Sequence, residues 1–234
     1  MPVSEIYNMD CMEYMKSMPD KYFDLAVVDP PYGGGNSNMG GGKRFGGRFD
    51  RYKTGQKDRR QVREVRKKIL SWDEAPRQEY FEELFRVSRQ QIIWGANYFS
   101  GLPPTRCFLV WNKFIPEKFS MAMVEYAWTS FDGNAKMFSM PPQGNIKNQR
   151  IHPTQKPVSL YEWIFRNYAK PRYRILDTHL GSGSSRIAAY KMGFDFYATE
   201  IDKDYFDMQE RRFQCECLEK IETAQGIVQQ LQLF

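Results

Sequence analysis

Short apolar runs of four to five residues punctuate the chain and alternate with stretches of helical period. Asp24-Leu-Ala-Val-Val28, Gln91-Ile-Ile-Trp94 and Cys107-Phe-Leu-Val-Trp111 read as buried strands, as do Arg174-Ile-Leu-Asp-Thr-His-Leu180 and Phe194–Ile201. They are too short for buried helices, and polar or turn residues bound them. Glu125–Phe131 reads as a further strand. Between these runs, Tyr80, Phe81, Leu84 and Phe85 share one helical face within 76–88, and Tyr161, Ile164, Phe165 and Tyr168 share one within 158–169. A helix is expected at about 184–192, and a long C-terminal one over most of 203–231. Residues 1–28 read as turn, helix, strand, and the Pro/Gly/Asn/Gln-rich stretch 132–150 as loop. Strands alternating with helices predict an α/β fold: a mostly parallel, Rossmann-like sheet with helices on both faces.

The 234 residues fit a single domain that buries its own core, with 41% hydrophobic and 15% aromatic residues excluding global disorder. The longest apolar runs are far too short for a membrane span or a signal peptide, so a cytoplasmic protein is expected. Four cysteines and two histidines, widely scattered, supply neither a disulfide framework nor a metal site. The charge is unevenly spread. Residues 43–68 hold twelve Lys/Arg against three acids, a net +9, which leaves −3 for the rest of the chain. They overlap a stretch, 33–47, with eight glycines. A basic segment on a mildly acidic body predicts a polyanionic partner. Lys43, Arg44, Arg48, Arg51, Arg59, Arg60, Arg63, Arg66, Lys67 and Lys68 are the candidate phosphate contacts.

Three clusters carry chemistry. Asp29-Pro30-Pro31-Tyr32 follows a buried strand, where open α/β sheets bind ligands. The prolines fix the backbone, so a carboxylate and the Pro30 carbonyl stand as two rigid acceptors beside an aromatic ring. That suits a planar group bearing an exocyclic amine; the plainer reading is a strand-ending turn. The second is Asp177-x-x-x-Gly181-Ser-Gly183-Ser184 between strand and helix, with an acid, Glu200, nineteen residues after Gly181 at the end of the next strand. Glycines permit close approach to a nucleotide and the acid bonds its ribose. No P-loop lysine is present, which disfavours a triphosphate. The third, His152-Pro-Thr-Gln-Lys-Pro157, opens a helix, either as ligand-facing groups or with Thr154 as a simple cap.

In this chain order the three clusters resemble the β-class S-adenosylmethionine-dependent DNA amino-methyltransferases, the adenine-N6 and cytosine-N4 enzymes with circularly permuted motifs. The resemblance covers 4–32, 90–112 and 150–206. It implies a permuted class I methyltransferase fold, S-adenosylmethionine as cofactor, and double-stranded DNA as partner with the target base flipped out; a homodimer is compatible with it. It makes Asp29, Pro30, Pro31 and Tyr32 catalytic. It assigns Asp10 and Cys11, Thr154 and Lys156, Asp177, Gly181 and Gly183, and Glu200 to the cofactor. Thr178-His179 stands where the family has Pro-Phe, which turns His179 into a further cofactor candidate. Asp rather than Ser at position 29 implies adenine-N6 methylation. Cytosine-N4 methylation and a non-catalytic nucleic-acid-binding module are the alternatives. The target-recognition region that the family carries ahead of the third cluster is reduced here to 132–150, so a short or relaxed target is expected.

Overall fold

The computed structural model describes residues 1–33, 74–119, 121–142, 151–152, 154–218, 220–223 and 226–229. The basic segment, with all ten candidate phosphate contacts, and the end of the 132–150 stretch lie outside the described residues.

Ten strands and five α-helices follow in the order β1 (Ser4–Tyr7), α1 (Cys11–Ser17), β2 (Phe23–Val28), α2 (Gln78–Val87), β3 (Ser88–Trp94), β4 (Leu109–Asn112), β5 (Val124–Thr129), β6 (Lys136–Ser139), α3 (Val158–Tyr168), β7 (Arg174–Asp177), α4 (Ser184–Lys191), β8 (Asp195–Thr199), α5 (Lys203–Cys217), β9 (Lys220–Thr223) and β10 (Gly226–Gln229), counted among the described residues. A single-turn 3₁₀ helix, Ala96–Tyr98, follows β3. Eight strands form one sheet in the order β1-β8-β7-β2-β3-β5-β4-β6. Neighbours from β1 to β3 are parallel; β5 runs antiparallel to both β3 and β4.

The alternation of side chains along each strand sorts the core into two layers. Leu25, Val27, Ile92 and Trp94 pack with α3 and α4 on one face. Ala26, Val28 and Ile93 pack with Tyr14 and Met15 of α1 and Tyr80, Phe81 and Leu84 of α2 on the other. Helices therefore cover both faces, as the sequence pattern requires.

The connections locate the working edge. From β7 the chain proceeds through α4 to β8 on one side; from β2 it proceeds to β3 on the other. β7 and β2 are neighbours, so strand order reverses between them, and the crevice beyond their carboxyl ends is the ligand site of open α/β sheets. Asp177 closes β7 and Asp29 follows β2.

Four local readings are corrected. Residues 4–7, read within a turn, form β1, whose partner β8 lies some 190 residues away and leaves no local trace. The stretch read as loop at 132–150 contains β6, a four-residue strand that pairs in parallel with β4. The long helix stops at Cys217 and the chain turns into the β9–β10 hairpin. Ile221, Thr223, Ile227 and Val228 are β-branched, and Gly226 interrupts the run, so helix propensity falls where the amphipathic pattern had suggested continuation. Thr154 caps nothing: α3 starts at Val158 with Pro157 at the cap position, and the Thr154 hydroxyl meets His152 Nδ1 at 3.1 Å.

Candidate active site

β2 delivers Asp29 to the crevice. Tyr32 Oη donates to Asp29 Oδ1 at 2.7 Å, and Lys156 Nζ donates to Asp29 Oδ2. Lys156 also stands 3.2 Å from Glu125 Oε2, and Lys113 donates to Glu125 Oε1 at 3.0 Å. Four charges of alternating sign thus run from the crevice into β5 and the end of β4. Lys156 is almost fully buried, with its ammonium 5.5 Å from the centre of the Trp94 ring. Burial pushes that ammonium towards its neutral form, but Asp29 and Glu125 outweigh burial and hold it above the ordinary lysine range. Burial likewise disfavours the Glu125 carboxylate, and Lys156 and Lys113 reverse the effect, leaving its pKa below the usual value.

Tyr32 is held by the turn after β3. Its ring stacks on Tyr98 at 4.8 Å and 14°, with Phe99 edge-on at 6.2 Å. Gly95 has φ +70, and a Cβ there would lie 2.0 Å from Tyr32 Cε1. Only glycine permits both that backbone and that approach.

The second half of the crevice is built on β7 and β8. Asp177 Oδ2 accepts from Ser185 Oγ at 2.6 Å and Oδ1 from the His179 amide at 3.1 Å. Burial raises its pKa to about 7; these two bonds oppose the rise, and the nearby charges of Asp29 and Glu200 add to it. Glu200, just past β8, accepts from the Gly181 amide at 2.8 Å and the Asp202 amide at 2.9 Å. Burial raises its pKa as well, against those amide bonds. Arg212 of α5 donates to Ser182 O and Ser184 Oγ, both at 2.9 Å. The glycine turn, with φ of +54 at Gly181 and +73 at Gly183, is therefore braced from two sides. His179 lies against Tyr80 and Thr178, with Thr178 Oγ1 2.9 Å from Nδ1, and burial lowers its pKa to about 4, so the ring is neutral. His152 reaches the turn from the other side, 3.6 Å from the place of a Gly181 Cβ, and burial lowers it to about 4 too. Asp10 caps α1, accepting from the Met12 amide at 2.8 Å and the Glu13 amide at 3.2 Å. Burial raises the adjacent Cys11 thiol to about 12, so it is inert as a nucleophile.

The structure thus gathers Asp29, Tyr32 and Lys156 into one group. Asp177, Gly181, Gly183, Glu200 and His179 form a second group, electrostatically in touch with the first. Pro30 and Pro31 lie between Asp29 and Tyr32 in the chain, and Thr154 stays on the exposed side of His152. Sequence reasoning missed Gly95, Tyr98, Glu125, Lys113 and Arg212. The Gly95-Ala-Asn-Tyr-Phe99 run after a buried strand was a usable signal. A lone acid at the start of a strand, or one basic residue on a helix, was not.

A family model described as DNA methylase, of the N6/N4 methyltransferase type, matches residues 49–211, well over half of the chain. The chain belongs to the N6/N4 DNA methyltransferase family. Among curated relatives, it is 24% identical to the type II methyltransferase M.ScaI of Streptomyces caespitosus, over 90% of this chain and 81% of that protein. It is 25% identical to the putative methylase YubD of Escherichia coli K12, over 90% of each. Similar folds include an M1.HpyAVI–SAM complex (TM-score 0.53, 18% identity, 89% of this chain and 98% of that one). They also include the cytosine-N4-specific PvuII methyltransferase (TM-score 0.56, 14% identity, 91% and 87%). The cofactor of this family is S-adenosylmethionine, and the crevice fits it: a glycine turn with left-handed backbone, a buried acid beside it, and the adjoining switch point. Among the described residues, no group of side chains could hold a metal ion and no helix is long and apolar enough to cross a membrane.

Proposed function

We propose that this family member methylates the exocyclic N6 of adenine in duplex DNA. The observation that carries the reading is Asp29: a carboxylate, where the resemblance gives cytosine enzymes a serine, held in the crevice by Tyr32 and Lys156. S-adenosylmethionine supplies an electrophilic methyl group. The protein's task is to make a poor nucleophile good. The adenine amine delocalises its lone pair into the ring. Accepting its two hydrogens, on Asp29 and on the Pro30 carbonyl, localises that pair and aims it. Asp29 takes the surplus proton as the new bond forms. An amine inside a duplex is out of reach, so the base is flipped out and its ring stacks with Tyr32, a contact that contributes about 1–3 kcal/mol.

Asp10, Asp177, Gly181, Gly183 and Glu200 hold the cofactor in this reading, with Arg212 and His152 shaping the turn. The basic segment contacts phosphates, and the chain works as a single methyltransferase domain in the cytoplasm. Labelled methyl transfer to unmethylated DNA, followed by nucleoside mass spectrometry, tests the substrate. N6-methyladenine is the expected product; N4-methylcytosine alone would overturn the choice of base, and no transfer at all would leave a binding module.

A further inference from the structure

The chain of charges behind Asp29 has a member that the motifs do not account for. Glu125 is the second residue of β5, a strand that belongs to neither half of the crevice, yet it meets two lysines. Both oxygens of Asp29 are engaged, Oδ1 by the Tyr32 hydroxyl and Oδ2 by Lys156. A hydrogen of the target amine must therefore compete with these donors for the lone pairs of Asp29, and the ammonium is the stronger competitor. Lys156 has somewhere to go. Glu125 Oε2 lies 3.2 Å from its nitrogen, a buried ionic contact that is longer and less well directed than the one to Asp29. A buried acceptor in that state favours any movement that completes its bond. Lys113, also buried, holds the other oxygen of Glu125 at 3.0 Å and keeps the carboxylate from turning away.

We infer that Glu125 is a positioning residue for methyl transfer: it takes over the Lys156 ammonium when the target amine arrives and so leaves an oxygen of Asp29 free to accept the amine hydrogen. The inference rests on the proposed role of Asp29. Net charge stays at zero throughout, because Asp29, Lys156, Glu125 and Lys113 carry two charges of each sign. No proton needs to leave the group before the substrate brings one. Lys156 does not swing into solvent, since Glu125 and Asp29 are both within its present reach.

Glu125→Gln tests this. The amide preserves shape but offers Lys156 no charge, so the ammonium stays on Asp29. We expect kcat to fall at least tenfold while the Kd for S-adenosylmethionine stays within twofold of the parent. The acidic limb of the pH–kcat profile should move to lower pH by half a unit or more, because the ammonium is then no longer shared with a second carboxylate. The other titratable groups facing the Asp29 carboxylate are Tyr32, Tyr80, Tyr161 and Asp177, and the substitution leaves them in place. Glu125→Asp, which keeps the charge on a shorter stem, should recover part of the rate. Should Glu125→Gln fail to fold with Lys113 unpaired, the double variant Lys113→Gln/Glu125→Gln removes that burden and carries the same expectation. Parent-like kcat and pH limb in either folded variant overturn the inference. So does a rate loss with an unmoved limb and no rescue by Asp, which marks a packing defect. Asp29→Ala separates the two levels: activity there refutes the role of Asp29 itself, whereas an inactive Asp29→Ala beside a fully active Glu125→Gln refutes only the role of Glu125.

Discussion

Replacing Gly95 by alanine should disable the enzyme by moving one ring. The added Cβ would stand 2.0 Å from Tyr32 Cε1 and 2.5 Å from Cζ, where ordinary contact begins at 3.4 Å. The Tyr32 ring must therefore retreat by about 1.4 Å, and with it the hydroxyl bonded to Asp29 and the stack on Tyr98. A misplacement of about 1 Å costs roughly 10²-fold in rate, so kcat should fall at least that far. Stability should fall too: alanine at φ +70 costs about 1–2 kcal/mol in backbone strain, and the overpacking adds about 1–3 kcal/mol. For a chain of this length each kcal/mol lowers Tm by about 2–4 °C. Gly193 supplies the control. Its φ is +77 and nothing lies within 4 Å of its Cβ position. Gly193→Ala should show the strain alone, a loss of about 1–2 kcal/mol, with an unchanged rate. The assays are labelled methyl transfer to unmethylated DNA and thermal melting of both variants. A Gly95→Ala enzyme with kcat within threefold of the parent would refute the idea that Gly95 seats Tyr32.

Three other expectations follow from the same geometry. Glu200→Ala should weaken S-adenosylmethionine binding by about 1.5–3 kcal/mol, the worth of hydrogen bonds to a charged group, or roughly 10- to 150-fold in Kd by calorimetry; an unchanged Kd would remove Glu200 from the cofactor site. Stability should respond to pH in two opposing ways. His179 and His152, held neutral at about 4, contribute stability above the unfolded value near 6.5 that is lost as pH falls towards 4. Asp177, raised to about 7, works against them: its protonated form favours the fold, so it costs stability as pH climbs from about 4 to 7. Melting curves between pH 4 and 8 should thus steepen on the acid side in Asp177→Asn and flatten in His179→Asn, and identical curves would contradict the assigned burial. Replacing Arg59, Arg60, Arg63, Arg66, Lys67 and Lys68 by Gln should weaken binding to all DNA sequences about equally and flatten its salt dependence; an unaltered salt slope would show that the segment does not touch phosphate.

Local pattern alone determined the fold class. Apolar runs of strand length alternating with helical faces left little choice but a mostly parallel sheet covered on both sides. The Asp29–Tyr32 and Asp177–Ser184 clusters were legible because each is a continuous stretch whose residue types are constrained by backbone geometry. The resemblance to the N6/N4 enzymes rested on those stretches, on His152–Pro157 and Glu200, and on their order. Tertiary structure decided what stands behind them. Nothing in the chain near Lys156 predicts that its ammonium meets Asp29, 127 residues away, or that Glu125 and Lys113 complete the row. A charged residue at a strand end looks the same in sequence whether it faces solvent or a buried partner. Its worth depends on desolvation and on which opposite charge the sheet order brings alongside. The same holds for β1 and β6, short strands whose reason to be strands lies in distant partners. It holds for Gly95 as well, whose missing side chain acquires meaning only when Tyr32 is folded against it.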